Sequence, residues 1–175
     1  MRDEARGEFL CGTLDHDGGI YTASNAWCRD PAAAKARYGP IASWDTSGVT
    51  DMDSLFFNKR DFNEDISRWN VSNVVNMNST FCYATSFNGD LLHWNVSNVV
   101  DMSCTFQHAT LFTGDLSCWD VGQVRGMEGT FYDATSFDRQ LGGAWATSTA
   151  AKTHMFYNSP GTIAGKTKDV EGTIE

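Results

Sequence analysis

Polar side chains that recur at fixed spacing are the residues of this chain best suited to binding. Two sets of acids and amides each repeat at intervals of 25 residues. The first set is Asp45, Asn70, Asn95 and Asp120, and the second is Asp65, Asp90 and Asp115. Stacked carboxylates and amides could contact a partner or hold calcium between turns. Alternatively they satisfy backbone groups of their own turns. We favour the turn role for the second set, whereas the first set could serve either role.

Residues for metal binding or catalysis are few. His16 lies between Asp15 and Asp17, which makes it the one metal candidate, although a solvated loop explains it better. The other three histidines share no repeat position with one another. No Ser/His/Asp arrangement, phosphate-binding loop or CxxC pattern occurs. We therefore expect no enzyme, no metal and no cofactor.

Five cysteines cannot all form pairs with one another. Three of them fall at different places within the repeats, as occasional substitutions do. Cys11 and Cys28 both precede the repeats, and they are the pair that could form a disulfide.

An internal repeat organises the polar sets. Tryptophan recurs at 25-residue intervals, and a fifth tryptophan follows after one inserted residue. These residues are Trp44, Trp69, Trp94, Trp119 and Trp145. Residues 69–77 return at 94–102 with one change, Asp101 for Asn76. Repetition this regular sets the architecture of the chain.

Apolar columns predict the secondary structure of each repeat. Each repeat contains a tryptophan, a polar residue and a valine in succession. This alternation of period two indicates a short strand whose polar residue faces outward. Val, Met, Phe at spacings of three and four indicates one face of a short helix. The predicted core is Trp44, Met52, Phe56, Trp69, Met77, Phe81, Trp94, Met102, Phe106, Trp119, Met127 and Phe131. The predicted fold is therefore an α/β solenoid of about five 25-residue strand-plus-short-helix repeats, with a parallel sheet.

The remaining chain divides around the repeats. Residues 1–20 are predicted to form an N-terminal arm, and residues 21–40 a helical N-terminal cap. Within the cap we expect a short helix at 22–28 and a clearer one at 32–38, with Asp30 as N-cap and Pro31 in its first turn. Residues 41–161 are four full repeats and a degraded fifth, and residues 162–175 are a C-terminal tail.

The charge balance limits the classes of partner that the chain is expected to bind. The chain of 175 residues carries 22 acids against 13 bases, a formal net charge of −9. An acidic surface disfavours nucleic acid and anionic membranes. The sequence contains no run of about 18 apolar residues, which is the length needed to span a bilayer.

Residues 62–72 and 44–52 closely follow a motif of the form F-N-x-D-I-S-x-W-D-V-S-x-V-T-x-M, and so the chain resembles the BspA-like leucine-rich-repeat family. Residues 26–30 also resemble the helical entry of members from unicellular algae. Gly122 and Gly126 depart from the motif. The resemblance implies an α/β leucine-rich-repeat-like solenoid that binds proteins or surfaces and is located at the cell surface or secreted. No catalytic residue is associated with the repeat motif, so the resemblance implies none in this chain.

Two function classes follow for these repeats. The first is a non-catalytic scaffold for protein–protein interaction or surface adhesion, which binds through the column begun by Asp45. The second is a structural or accessory subunit of a larger assembly, for example an organellar complex of an algal chloroplast.

Overall fold

Two helices precede the repeats in the computed structural model, which describes residues 17–175. Helix α1 spans Asp17–Arg29 and helix α2 spans Pro31–Tyr38. The side chain of Asp30 caps α2 by accepting a hydrogen bond from the Ala33 N–H at 3.0 Å. Gly39, with φ of +74°, ends that helix. The second predicted helix is thus confirmed, and the first is longer than predicted. Both supply the surface on which the first repeat packs.

The predicted fold class is wrong. In residues 17–175 the only strands are β1, Gln140–Leu141, and β2, Thr162–Ile163, which form one parallel two-stranded sheet. The other regular elements are a 3₁₀ turn at Ile41–Ser43 and the four-residue helix α3 at Ala144–Thr147. The repeats are built from turns, so the strand-plus-helix repeats and the parallel sheet of a leucine-rich-repeat-like solenoid are not found.

The backbone of the Met-to-Phe segment explains why no helix forms there. The Met52 N–H donates to the Asn76 carbonyl of the next repeat at 2.8 Å, whereas the Leu55 N–H donates to the Met52 carbonyl of its own repeat at 3.2 Å. Ser54 and Asn58 are both left-handed, with φ of +57°. A left-handed residue at every fourth position interrupts a right-handed helix. Successive turns therefore place Met and Phe inward, although their spacing is that of a helix.

This backbone conformation recurs through the repeats. Two positions of the repeat have positive φ. The first is occupied by Ser54, Ser79, Cys104, Gly129 and His154, and the second by Asn58, Tyr83, His108, Asp133 and Asn158. Isolated parallel bridges join consecutive repeats at Asp51, Asn76, Asp101, Gly126 and Ala151. The 25-residue period is therefore present in the backbone.

Every residue expected in the core is buried, with at most 7% of its surface exposed. The core phenylalanines of neighbouring repeats stack, as for Phe56 and Phe81 with centroids 5.6 Å apart. From the second repeat onward, each indole of the tryptophan column donates a hydrogen bond to a carbonyl of the preceding repeat, as Trp69 does to Ile41 at 2.9 Å. The Trp-polar-Val segment is thus tied to its neighbour through a side chain.

Buried threonines were not anticipated. Thr80, Thr105 and Thr130 are fully buried between the Met and Phe columns. The Thr80 hydroxyl lies 2.9 Å from the Met52 carbonyl and 2.8 Å from the Met77 carbonyl. Such a hydroxyl joins two repeats inside the core.

Different segments cover the two ends of the repeats. At the first repeat the Tyr21 hydroxyl donates to the Asp53 carbonyl, and the Trp27 ring meets the Trp44 ring edge to face. At the last repeat the Phe156 N–H donates to the Gly172 carbonyl at 2.9 Å. The predicted domain boundaries stay predictions, but residues after 161 pack on the last repeat.

Candidate interaction surface

The column predicted to bind a partner closes its own turns. The Asp45 Oδ1 accepts from the Ser47 N–H at 3.0 Å and from its hydroxyl at 2.7 Å, and Asn95 accepts likewise from Ser97. Both hydrogen bonds lower the pKa of Asp45, the one from the Ser47 hydroxyl contributing most. Asn70 and Asp120 each accept from one backbone N–H two residues ahead. The structure thus gives this column a turn role, and its binding role stays a prediction.

The second acidic set has the same turn role. Asp65, Asp90 and Asp115 each accept from the N–H two residues ahead. The Ser67 hydroxyl is the main cause of a lowered pKa at Asp65, and the Ser117 N–H is the main cause at Asp115. In the described part of the chain, no group of three His, Cys, Asp or Glu side chains could hold a metal ion.

Two sequence predictions fall on the first residues of the chain. Asp15 and His16 lie outside the described residues, and Asp17 begins helix α1. The pairing of Cys11 with Cys28 also lies outside them. In residues 17–175 no helix is long and apolar enough to cross a membrane.

A continuous row of aromatic rings runs along the surface of the repeats. We call it the aromatic row, and it consists of Phe57, Tyr83, His108, Tyr132 and Tyr157. Tyr83 stacks on His108 with centroids 4.2 Å apart, and Tyr132 stacks on Tyr157 at 4.6 Å. Phe57 meets Tyr83 edge to face at 6.0 Å, and His108 lies tilted 5.7 Å from Tyr132. Five repeats thus contribute one ring each.

The ends of the row are more exposed than its centre. Phe57 is 46% exposed and Tyr157 39%, whereas the three rings between them are half-buried. Because two pairs stack face to face, four of the five rings have one face covered within the row. The edges and the tyrosine hydroxyls are left for a partner.

Polar groups fix the centre of the row. The His108 Nδ1 lies 3.3 Å from the Asp133 Oδ2, and the Asn158 side-chain amide donates to the other oxygen of Asp133. Desolvation, followed by the neighbouring Tyr157, raises the pKa of Tyr132 above that of an ordinary tyrosine. The row therefore offers hydrogen-bond groups beside apolar edges.

The repeat columns do not reveal this surface, because its residues alternate between two adjacent repeat positions. Phe57, Tyr132 and Tyr157 occupy one position, while Tyr83 and His108 occupy the left-handed position that follows it. The signal in the sequence is spacing, since the five rings are 26, 25, 24 and 25 residues apart. Allowing one residue of slip would have found them.

The chain belongs to the family described as Mycoplasma protein of unknown function, DUF285, which it matches over residues 30–145 and again over residues 78–164. This membership is consistent with the resemblance to BspA-like repeat proteins and with a non-catalytic role. The predicted algal origin is not addressed by it. Neither the curated proteins nor the solved structures contain a match.

Proposed function

We propose that this chain is a non-catalytic protein-interaction module and that the aromatic row is its contact surface. The observation that carries the proposal is the unbroken series of partly exposed rings from Phe57 to Tyr157. Scattered apolar side chains are normal on a protein surface, but a contiguous patch marks a binding site.

The chemistry of the row favours a protein partner. Tyrosine is enriched at interfaces because it buries much area while only two torsions become fixed. A sugar or a nucleobase stacks on an open ring face, whereas four of the five rings of this row have one face covered by a stacked neighbour. The net charge of −9 also opposes nucleic acid. Ring edges flanked by Asp133 and the tyrosine hydroxyls suit an apolar groove with polar rims on another protein.

A differential capture experiment tests the proposal. The full chain, a Phe57→Ser/Tyr157→Ser variant and a Val75→Ser/Leu111→Ser variant would each be immobilised and exposed to extract from the native source. Val75 and Leu111 are matched controls because they are 46% and 55% exposed but belong to no ring contact. We expect a protein retained by the wild type and by the control, and lost from the row variant. Equal retention by all three would refute the row as the contact surface.

The absence of enzymatic activity is part of the proposal. It is supported by the turn roles of the acidic columns, which engage the carboxylates most suited to chemistry. Membership of a larger organellar assembly remains the alternative function, and a cell-surface location remains the expectation from resemblance. Capture of several chains in fixed proportion would favour the assembly.

A further inference from the structure

A second surface, separate from the aromatic row, lies at the N-terminal end of the chain. A groove of about 920 Å³ runs between helices α1 and α2 and reaches the first repeat at Lys59. We call it the helix groove. Its walls carry three cations, Arg29, Arg37 and Lys59, against one acid, Asp30. This is an unusual balance in a chain with 22 acids and 13 bases.

The three cations have no acidic partner among residues 17–175. The ion pairs within 4.0 Å between two described residues are His108–Asp133 and His154–Glu171, and neither includes a cation of the groove. The one acid of the groove, Asp30, is engaged as the N-cap of α2 through the Ala33 N–H. No salt bridge thus engages the three cations, and the acids close to them are Asp30 in the groove and Glu64 beside Cys28 and Lys59.

Helix dipoles account for part of this arrangement. Arg29 and Arg37 lie in the last turns of α1 and α2, where a cation is favourable without any ligand. The helix dipoles do not account for Lys59, because it belongs to the first repeat and not to a helix. Three separate elements of the fold therefore direct positive charge to one groove.

The lining between the cations is apolar and small. Ala26 belongs to α1, while Ala33 and Ala34 belong to α2, and all three line the groove. Small apolar residues admit the backbone of an extended chain, and the cations beside them match carboxylates. From these observations we infer that the helix groove binds an acidic segment of a protein, whose carboxylates meet Arg29, Arg37 and Lys59. This inference goes beyond the proposed function and does not depend on the aromatic row.

Fluorescence anisotropy of a labelled peptide of four Glu-Ala repeats tests the inference on the full chain. A peptide of four Gln-Ala repeats is the uncharged control. We expect saturable binding of the acidic peptide that weakens as salt is raised, and no binding of the uncharged one. Acidic-peptide binding that ignores salt, or equal binding of the two peptides, would overturn the inference.

Matched variants locate the binding. Arg29→Gln/Arg37→Gln and Arg68→Gln/Arg125→Gln have the same net charge, but only the first pair lines the groove. The groove variant should weaken binding by about fivefold to tenfold, as loss of two exposed charge pairs implies. The control should change it by less than about twofold. Equal weakening by both variants would show that net charge alone causes the effect, and would refute the helix groove as the binding site.

A third measurement separates this inference from the proposed function. The Phe57→Ser/Tyr157→Ser variant should bind the acidic peptide as the wild type does. Under reducing conditions, bound peptide should also slow alkylation of Cys28, which lines the groove, and leave the exposed Cys118 unaffected. Competition by inorganic phosphate at equal concentration would show a general anion site and contradict recognition of a peptide.

Discussion

Tyr83 and His108 occupy the same left-handed position in adjacent repeats, and their rings stack with centroids 4.2 Å apart at an interplanar angle of 17°. The positive φ of both residues, +59° and +56°, directs the two side chains the same way. The stack is therefore a consequence of the repeated backbone. The aromatic row continues wherever a ring occupies this position or the one before it.

The fifth repeat contains a buried lysine at the position of the core methionines. The Ala151–Gly126 bridge aligns Lys152 with Met127, and Lys152 is only 8% exposed. Its Nζ donates to two backbone carbonyls, and burial lowers its pKa. Lys152→Met should raise the free energy of unfolding by about 1 kcal/mol at pH 7, because removing a desolvated charge from the core outweighs the loss of its two hydrogen bonds. Chemical denaturation measures it.

The pH dependence gives an independent check on Lys152. Its folded-state pKa lies below the ordinary value of 10.5, so the unfolded chain binds more protons between the two values. The free energy of unfolding of the wild type should therefore increase relative to that of Lys152→Met as pH rises toward 10.5. The exposed Lys35→Met change is the control and should alter stability by less than about 0.5 kcal/mol. A constant gap between wild type and Lys152→Met across this range would contradict the lowered pKa.

Buried threonine hydroxyls should contribute to stability. The Thr105 hydroxyl lies 3.0 Å from the Met77 carbonyl and 2.7 Å from the Met102 carbonyl. Thr105→Val keeps the shape but removes the donor, and should cost about 1–3 kcal/mol because buried carbonyls lose a partner. Thr149 is exposed, so Thr149→Val should change the unfolding free energy by less than about 0.5 kcal/mol. Equal effects of the two would show that the buried hydroxyl adds nothing.

The segment that covers the last repeat depends on one glycine. A Cβ at Gly172 would lie 2.1 Å from the Tyr157 nitrogen, and its φ is +76°. Gly165 has a similar φ of +71° but open space around it. Gly165→Ala should cost about 1 kcal/mol from backbone strain. Gly172→Ala should cost more and should expose residues 162–175 to limited proteolysis. Similar proteolysis of the two variants would mean that this segment does not depend on close packing at Gly172.

Burial of Cys82 predicts an alkaline loss of stability. Desolvation raises the pKa of this thiol from 9.0 to about 12. A raised folded-state pKa stabilises the fold fully below pH 9, and that stabilisation is lost as pH rises from 9 toward 12. Cys82→Ala should therefore show a shallower fall in stability above pH 9 than the wild type. Cys118→Ala, at an exposed site, should run parallel to the wild type. A Cys82→Ala curve parallel to both would refute the shift.

Periodicity and burial could be predicted from the sequence, because packing restricts residue type at inward positions such as Trp69 and Phe81. Local conformation could not. The first of the two left-handed positions holds Ser54, Ser79 and Cys104, which give no sign of positive φ, and only Gly129 in that column hints at it. The helical spacing of Met and Phe was thus assigned to the wrong structure. The aromatic row was missed for a related reason, since it shifts between two adjacent positions.

The central claim is that the aromatic row contacts a protein partner, and the dissociation constant of the captured partner tests it most directly. Calorimetry would compare the wild type with Phe57→Ser/Tyr157→Ser and with Asn70→Arg/Asn95→Arg, which changes the column first predicted from the sequence. Loss of two interface aromatics should weaken binding at least about tenfold. The Asn70→Arg/Asn95→Arg variant should stay within about threefold of the wild type, as expected for changes outside an interface. Unchanged binding by the row variant, with loss by the asparagine variant, would contradict the claim and assign the contact to the asparagine column.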